Sequence, residues 1–559
     1  MIMSELSELT DIVVTKLITK LEGWGNQISF NHKKALYAIA SHFSEDAIYD
    51  FPARWAIGLD TGLGKTQLLI TFLNTLKELN SIYPVLVCVP NMRAMNEFRK
   101  GLLEAYSEDE IGCKFSLSSA SQVDFSSTPD SELNAYQVLI TCHARVDGTK
   151  EEFDRLLSCN GVKRTVFYDE ALKRGQSFGG NVVAFRQDMG LIAPYLSEDA
   201  LSYLSSINEA LSSSAIVSLA TSDEVKENIK SAMLLANLKR NKGKFVFEVI
   251  EPLISGRYDQ LRHENGDIFS FIHTLPDMQS LFVLDANHEF SILSQLDDSI
   301  EKLNIDKFKL FNHVAFKAYD LNLGQRKIAA NQQLYLEWTK DRVEDAIAEG
   351  LNPVVICSLK MKPLIEAKGY PLITWGMHAG SNSFTYKDAL ICVGLLRLSD
   401  EVTKGEMTLI QDNIGGTIEG FQQIAKEEAL LNLYQAVSRG SSRRVKVEDG
   451  KTVALPSTIY LSGPLDPSQI TLLHRVMPGC RYLVARYDKV ISDILHYVAT
   501  VESEEGITLM NISSSVPSYK DLPNREKLKA ISLLEPYGWW KRGRSIYPSR
   551  FPSLTNLYS

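Results

Sequence analysis

One short segment limits the possible folds of this chain more than any other part of the sequence. The segment reads Leu59-Asp60-Thr61-Gly62-Leu63-Gly64-Lys65-Thr66; an apolar, strand-like run precedes it and a helical pattern, Gln67 to Leu79, follows it. Glycines between a strand and a helix let backbone N–H groups turn inward, and the N-terminus of the helix adds partial positive charge. The segment therefore predicts a phosphate-binding loop in an α/β domain.

The sequence predicts a specific role for two side chains of this loop. Lys65 would reach the β- and γ-phosphates of a nucleotide, and the Thr66 hydroxyl would ligate Mg²⁺. The predicted nucleotide-binding residues are Thr61, Gly62, Gly64, Lys65 and Thr66. A glycine-rich turn that binds no nucleotide remains the alternative.

An acidic pair, Asp169-Glu170, stands at the end of a second apolar run, Val166-Phe167-Tyr168. Hydrolysis of a phosphoanhydride needs one carboxylate that holds Mg²⁺ and another that orients or deprotonates the attacking water. The carboxyl ends of parallel strands face the ligand crevice of an α/β domain. This position predicts that the pair works with the phosphate loop, although an isolated Asp-Glu pair can also be a solvated turn.

The alternation of short apolar runs with helical stretches predicts an α/β protein whose parallel sheets are covered on both faces. The pattern occurs twice, and a mostly helical stretch interrupts its first occurrence. We predict a helical N-terminal segment at 1–50, a first α/β lobe at 51–304 with a helical insertion at about 172–276, a second α/β lobe at 305–500, and a C-terminal extension at 501–559.

Composition excludes several classes of protein. The chain has 559 residues, of which 45% are hydrophobic, and a net charge of −9. No apolar run approaches the roughly 18–20 residues of a membrane helix, and the first residues lack the apolar core of a secretory signal. The seven cysteines contain no Cys-x-x-Cys pair, so neither a disulfide framework nor a zinc site is expected. We expect a soluble, cytoplasmic protein without a membrane partner.

The phosphate loop and the acidic box, Asp169-Glu170-Ala171-Leu172, resemble motifs I and II of the superfamily 2 helicases, the DEAD/DEAH-like enzymes. The resemblance extends over about residues 50–445. It implies two RecA-like lobes, ATP and Mg²⁺ as cofactors, and ATP hydrolysis in the cleft between the lobes. Within it, Asp169 would ligate Mg²⁺ and Glu170 would be catalytic.

Further segments resemble the family's motifs that contact nucleic acid. They follow in the family's order, and the implied nucleic-acid-binding residues are Asn91, Thr141, His143, Ser381 and Asn382. A plain polar loop is the alternative for the last two. The segment Leu284-Asp285-Ala286-Asn287 resembles the element that couples the two lobes, with Ser218-Leu219-Ala220-Thr221 as a rival for this role.

The segment from Gln435 to Arg443 resembles motif VI, which implies that Gln435, Arg439 and Arg443 are catalytic. A Gln and one or two Arg on one helix can project toward a γ-phosphate held by the other lobe and stabilise transition-state charge. Arg439 is the better candidate for this arginine finger, with Arg443 or Arg444 in support. The alternative is a basic, solvated helix end.

The C-terminal extension interleaves aromatic and basic residues. Residues 536–559 contain four Lys or Arg and no Asp or Glu. Aromatic rings can stack on bases while cations meet phosphates, so the predicted nucleic-acid contacts also include Trp539, Trp540, Lys541, Arg542 and Arg544. Alternatively, the rings dock the tail against the body of the protein.

These features predict an ATP-dependent helicase or translocase that acts on nucleic acid, with DNA preferred over RNA, and a protein partner that loads or regulates it. A P-loop ATPase that acts as a switch or signalling subunit without unwinding activity is the alternative. A small-molecule kinase is disfavoured because such a kinase needs no second lobe. Gln27 is a weak candidate for adenine recognition, since an exposed glutamine beside a helix is the better explanation.

Overall fold

The computed structural model describes most of the chain. The described residues are 2–49, 52–146, 150–170, 172, 175–211, 216–238, 247, 249–255, 258, 260–265, 268–274, 278–291, 294, 299–376, 384–397, 421–484, 488–501, 506–522, 524–532, 534 and 539–548.

The first lobe and its insertion contain thirteen of the described strands. In chain order, β1 to β13 are Arg54–Ala56, Val85–Val89, Ile111–Lys114, Val138–Cys142, Ser158–Cys159, Val162–Lys163, Thr165–Asp169, Gly175–Asn181, Ile216–Ser218, Gln260–Asn265, Ile268–Thr274, Leu281–Leu284 and Glu301–Lys302.

Seven of these strands form one sheet in the order β13-β1-β12-β7-β2-β4-β3. All of its pairs are parallel. Its central strands, such as β2 and β4, are buried along their whole length, as expected for a parallel sheet with helices on both faces. Because the strands run the same way, the ends of β1, β7 and β12 meet at one edge.

The helices of the first lobe and its insertion are α1 to α10. They span Ile2–Gly23, Phe30–Tyr49, Lys65–Glu78, Met92–Leu102, His143–Val146, Lys150–Leu156, Val182–Ile192, Glu198–Ala210, Asp223–Leu238 and Ile250–Ile254. The amphipathic helices α1 and α2 pack their apolar faces onto α3, so that Val13, Leu17 and Phe43 join the same core as Phe72. The N-terminal helices are therefore part of the first lobe's core.

The insertion differs in part from its prediction as a helical segment. It contains the predicted helices, but also a four-stranded antiparallel sheet in the order β8-β11-β10-β9. One face of this sheet and the helices share a separate core with Phe185, Leu204 and Phe269. Two of its three pairings, β8 with β11 and β9 with β10, join segments that are far apart along the chain, so local sequence patterns do not reveal them; β10 and β11 are neighbours in sequence.

The second lobe contains β14 to β22, which are Lys309–Leu310, Val314–Ala318, Pro353–Cys357, Leu372–Thr374, Ala389–Cys392, Val445–Glu448, Lys451–Ala454, Ser457–Leu461 and Arg481–Val484. Six of them form an entirely parallel sheet in the order β17-β16-β18-β21-β15-β22. The fold class predicted from the sequence, an α/β protein with two parallel-sheet lobes, is confirmed.

The remaining helices, α11 to α19, span Gln325–Ala330, Gln332–Ala348, Lys362–Glu366, Phe421–Val437, Pro467–Val476, Asp488–Thr500, Leu509–Ser515, Pro517–Lys520 and Asn524–Ser532. In the described part of the chain, five short 3₁₀ helices lie at Glu108–Glu110, Leu117–Gln122, Asp130–Ala135, Ala193–Tyr195 and Ser441–Arg443.

A small mixed sheet, β14-β20-β19, joins the two lobes. Its β14 lies on the segment that connects them, and β20 faces the N-terminal helices. The Oγ atoms of Ser29 and Thr452 are 2.6 Å apart, and the Val447 N–H donates to the Gln27 side chain. Val445 packs into the core of the first lobe. The two lobes are therefore in direct contact.

The C-terminal extension packs onto the second lobe. Its strands β23 to β25 are Ile507–Thr508, Trp539–Arg542 and Ser545–Pro548, and they form an antiparallel sheet. Ile512, Ile531 and Ile546 belong to the second lobe's core, and Trp539 packs against it. This part of the extension therefore docks against the body of the protein, as the alternative prediction stated.

Among the residues that the structure describes, no helix combines the length and apolar character needed to cross a membrane.

Candidate functional site

A cleft of about 500 Å³ lies between the two lobes, at the edge where β1, β7 and β12 end. Its walls come from the phosphate loop, the acidic pair, the end of β12, the segment after α14 and the end of α1. The lining residues used below are Trp24, Thr61, Gly62, Gly64, Lys65, Thr66, Asp169, Glu170, Asp285, Gln435, Arg439 and Arg443.

The backbone of the phosphate loop takes the shape that its glycines permit. Gly62 and Gly64 have φ angles of 81° and 97°, in the left-handed region that favours glycine. Gly64 is the N-cap of α3, and no side chain caps this end of the helix. The free N–H groups and the positive end of the helix dipole therefore face the cleft, which is the arrangement that binds phosphate.

Four carbonyl groups of the loop accept hydrogen bonds from lysine or histidine side chains. Three of these carbonyls, those of Gly58, Thr61 and Leu63, accept from side chains outside the cleft lining, so the N–H groups of the same peptides turn the other way. The donors come from three parts of the chain: Lys307 to Gly58 (3.2 Å), Lys65 to Leu59, Lys309 to Thr61 (2.8 Å) and His32 to Leu63 (2.9 Å).

Lys65, Thr66 and Asp169 lie together at the mouth of the loop. The Thr66 hydroxyl donates to both carboxylate oxygens of Asp169, at 3.2 Å. Burial, with the charge of Lys307, lowers the pKa of Lys65 to about 8. Burial and the neighbouring Glu170 raise the pKa of Asp169 to about 6. Burial and a second cation disfavour the charged form of Lys65, and burial with a neighbouring carboxylate disfavours the charged form of Asp169.

The donor set fits Mg²⁺. A hydroxyl and a carboxylate oxygen are hard ligands of the kind that Mg²⁺ takes, with phosphate oxygens and water completing its shell. Within the described residues, no group of three or more His, Cys, Asp and Glu could hold a metal ion by itself. Thr66 and Asp169 therefore suit a metal ion that arrives with a phosphate ligand.

Glu170 has an unusual backbone for a residue with a side chain. Its φ is 90°, and such strain is found at functional sites that the surrounding structure holds in place. The carboxylate accepts a hydrogen bond from Arg439 of the second lobe at 2.7 Å. Arg439 is 7% exposed, so this ion pair is largely shielded from water. It joins the acidic pair of one lobe to the predicted arginine finger of the other.

The predicted helix that carries Gln435, Arg439 and Arg443 is shorter than expected. The helix α14 ends at Val437, Arg439 lies in the following turn, and Arg443 ends a 3₁₀ helix. Gln435, Arg439 and Arg443 nevertheless all line the cleft. Burial and the charge of Arg439 lower the pKa of Arg443 to about 10. The turn, and not one continuous helix face, brings the two arginines to the same site.

Three residues that contact one another beside the loop, Asp60, Lys307 and Tyr434, were not predicted as site residues from the sequence. Asp60 is 3% exposed and accepts hydrogen bonds from Lys307 (2.8 Å) and from the hydroxyl of the fully buried Tyr434 (3.2 Å). Burial and Asp60 raise the pKa of Tyr434 well above its usual value. No sequence motif marks Lys307 or Tyr434, because each lies more than two hundred residues from the loop.

Asp285 belongs to the segment that was predicted to couple the two lobes. It follows β12 and lines the cleft, while Ser218 belongs to β9 in the insertion. The Asp285 carboxylate accepts from the Asn287 N–H at 2.8 Å, and burial raises the pKa of Asp285 to about 6. The next turn reaches the other lobe, because Ser291 donates to Glu428 at 2.7 Å.

The residues of the first lobe that were predicted to contact nucleic acid make local interactions within the protein. Asn91 accepts from the Ala94 N–H as the N-cap of α4. Thr141 is fully buried and donates to the Lys114 carbonyl, so its predicted contact with nucleic acid is not compatible with this structure. His143 stacks on Tyr168 with a centroid distance of 4.1 Å, and burial lowers its pKa to about 4.

The other expected contacts are only partly described. Ser381 and Asn382 lie outside the described residues. In the C-terminal hairpin, Trp539 and Trp540 are on β24, and Lys541, Arg542 and Arg544 are exposed. These cations remain available for a polyanion.

Two residues near the end of α1 bear on recognition of a base. Trp24 lines the cleft and is 52% exposed, which suits an aromatic ring that stacks on a planar ligand. The predicted candidate Gln27 is exposed and accepts from the Val447 N–H of the second lobe. Trp24 is thus the aromatic residue at the site that the sequence analysis missed.

The close approach of the lobes at Gly62 leads to a prediction about stability. A Cβ at Gly62 would lie 2.0 Å from the Arg443 carbonyl oxygen, whereas a Cβ at Gly161, which has a similar φ of 84°, would meet nothing within 4 Å. The left-handed strain of Ala, about 1–2 kcal/mol, is common to both positions. We therefore expect Gly62→Ala to lower the melting temperature more than Gly161→Ala. Equal melting temperatures for the two variants would contradict the contact between the lobes.

Comparisons with known proteins find distant similarity in structure alone. No family model matches the chain, and no curated protein matches it. Similar solved structures include S. cerevisiae Dbp5 bound to RNA and ADP BeF3, with 10% identity over 84% of this chain and 97% of the other and a TM-score of 0.35.

Two further structures contain a single-substitution variant of S. cerevisiae Dbp5. One is bound to RNA and ADP BeF3, with 10% identity, 84% and 97% of the two chains covered and a TM-score of 0.32. The other is bound to a Gle1 variant and IP6, with 9% identity, 85% and 97% covered and a TM-score of 0.31. Similarities this distant assign no function to the chain.

Proposed function

We propose that this protein is an ATP-dependent helicase or translocase that acts on nucleic acid. One observation carries the proposal: Arg439 of the second lobe reaches Glu170 at 2.7 Å across a cleft that the phosphate loop lines. An enzyme that only needs to bind a nucleotide has no need for a cation from a second lobe. A cation that arrives from another lobe makes hydrolysis depend on the relative position of the lobes.

The first lobe would bind the nucleotide. The N–H groups around Gly62 and Gly64 would receive the phosphates, and Lys65 would move from the Leu59 carbonyl to the phosphate oxygens. Thr66 and Asp169 would hold Mg²⁺, which neutralises phosphate charge when bound. Trp24 would cover the base at the open side of the cleft.

Glu170 would act as the general base. It lies at the end of β7, next to the proposed metal ligand Asp169, and its carboxylate would accept a proton from the attacking water. Arg439 would release Glu170 and turn to the charge that develops on the transferred phosphoryl group, with Arg443 beside it. Removal of charge from the cleft after hydrolysis would weaken the contact between the lobes and open it.

Nucleic acid would run across both lobes. The exposed cations Lys541, Arg542 and Arg544 of the C-terminal hairpin suit such a track. The preference for DNA that the sequence predicted has no support in the structure, so DNA and RNA are both candidates. A protein partner that loads or regulates the enzyme remains part of the proposal.

The decisive experiment measures the rate of ATP hydrolysis in four parallel reactions, without nucleic acid and with single-stranded DNA, duplex DNA or single-stranded RNA. We expect at least one polynucleotide to raise the rate about tenfold, because binding across both lobes favours their closure. The activating effect should fall steeply with added salt.

A rate that is measurable but equal in all four reactions would reject the motor and favour the alternative, a P-loop ATPase that acts as a switch without unwinding activity. The buried ion pair between the lobes is compatible with that alternative, because a switch also needs a conformation that depends on nucleotide.

A further inference from the structure

Lys309 is a buried lysine with no task in the mechanism described above. It lies on β14, in the segment between the lobes, and its side chain is 0% exposed. Its ammonium group donates to the Thr61 carbonyl at 2.8 Å and lies 5.0 Å from the centre of the Phe311 ring. Since β14 pairs with β20, this hydrogen bond ties the phosphate loop to the small sheet that joins the lobes.

The geometry of a peptide group gives this bond a consequence in the cleft. In a planar trans peptide, the C=O and the N–H point in opposite directions. The carbonyl of Thr61 belongs to the same peptide as the N–H of Gly62, and Gly62 lines the cleft. With a φ of 81° at Gly62, the loop has the freedom of glycine at this point and needs an outside contact to hold the peptide in one orientation.

We propose that Lys309 is a positioning residue for the nucleotide: it holds the Thr61 carbonyl on the side of the joining sheet and thereby directs the Gly62 N–H toward the phosphates. This inference rests on the proposed function. It adds to the proposed nucleotide site a residue from the segment between the lobes. It also makes phosphate binding sensitive to the lobe arrangement, because the donor moves with β14 and not with the loop.

The surroundings of Lys309 indicate that this side chain does not stabilise the folded protein. Burial lowers its pKa to about 7; the carboxylate of Asp60 opposes this shift, while the charges of Arg443, Lys65 and Lys307 add to it. A lysine whose pKa is lower in the folded than in the unfolded protein destabilises the fold at every pH below its unfolded pKa. A nearby triphosphate would remove this disadvantage.

The test compares Lys309→Met with the wild-type protein. It measures the KM and kcat of steady-state ATP hydrolysis and the melting temperature without nucleotide. We expect the KM for ATP to rise about ten- to hundredfold, the range of one hydrogen bond from a charged group. The kcat should stay within about threefold, because an N–H that holds the phosphates equally in ground and transition states affects binding alone. The melting temperature should be unchanged or higher.

Two further variants complete the design. Lys340→Met is the matched control, since Lys340 is 55% exposed on α12 and pairs only loosely with Glu344, at 3.6 Å; its KM and melting temperature should equal those of the unchanged protein. Lys307→Met should lower the melting temperature, because it leaves the buried Asp60 without its cation.

An unchanged KM in Lys309→Met would overturn the inference, and so would a variant that fails to fold or that loses kcat and melting temperature together, since either shows a structural role. The proposed function fails separately: it is rejected when the unchanged protein neither binds nor hydrolyses ATP.

Discussion

Substitution of Lys65 by Ala is expected to abolish ATP hydrolysis, with a loss of kcat/KM of about a thousandfold or more. The side chain is the cation that the loop itself contributes at its opening, and its ammonium group donates to the Leu59 carbonyl. With Ala at this position, negative charge that develops on the phosphates meets no ammonium group at short range. The measurement is steady-state hydrolysis of ATP at saturating Mg²⁺.

The loss should not come from unfolding. Burial lowers the pKa of Lys65, so its charged form carries a desolvation cost in the folded protein, and its removal does not weaken the fold as removal of a packed apolar side chain does. We expect the melting temperature of Lys65→Ala without nucleotide to stay close to that of the unchanged protein. The same substitution at Lys340, on the exposed face of α12, serves as the control. Hydrolysis by Lys65→Ala at the unchanged rate would reject the site.

A Glu170→Gln protein is expected to bind ATP and to hydrolyse it about a hundred- to ten-thousandfold more slowly, the range over which a general base contributes. The amide has the shape of the carboxylate but does not accept a proton from water. It also cannot form the ion pair with Arg439, which lies 2.7 Å from the carboxylate. Because one negative charge is removed beside the phosphates, nucleotide affinity should be retained or increased.

Glu344 provides the control for this variant. It lies on α12, is 61% exposed and pairs at 3.6 Å with Lys340. We expect Glu344→Gln to hydrolyse ATP at nearly the wild-type rate. Binding is measured with a fluorescent ATP analogue and hydrolysis in a single turnover, so that the two steps are separated. A Glu170→Gln protein with a rate within a few-fold of normal would show that another group activates the water.

In the proposed mechanism, the ion pair between Glu170 and Arg439 would have to separate before hydrolysis. A carboxylate neutralised by Arg439 would be a poor base, and the arginine would not be free for phosphate. A triphosphate in the cleft would supply a competing anion, so that each side chain could take its proposed role. The backbone of Glu170 has a φ of 90°, the kind of strain found at functional sites.

The local parts of the fold were predictable because local signals specify them. The apolar run Val166-Phe167-Tyr168 predicted a strand where β7, Thr165–Asp169, lies, since buried parallel strands read as continuous apolar runs. The loop between β1 and α3 was predictable from its glycines. The sheet of the insertion was not, because β8 pairs with β11 and β9 pairs with β10 across tens of residues.

The candidate site was predictable to a similar degree. The sequence identified residues that the cleft brings together from both lobes, such as Asp169 of the first and Arg439 of the second. Motif reasoning placed Thr141 at the surface, but it is buried in β4. A motif specifies the order of residue types, whereas exposure depends on which segments cover the strand, here β3 and its following turn.

The sequence by itself determined that a phosphate-binding loop and an acidic pair end two strands of a parallel sheet, because each signal lies within a dozen neighbouring residues. Only the tertiary structure decided what surrounds them: the lysine pair Lys307 and Lys309, the buried Tyr434, and His32 from the N-terminal helices. These side chains meet the loop from distant parts of the chain. Their role depends on distance and direction in the folded protein, and neither quantity has a local trace in the sequence.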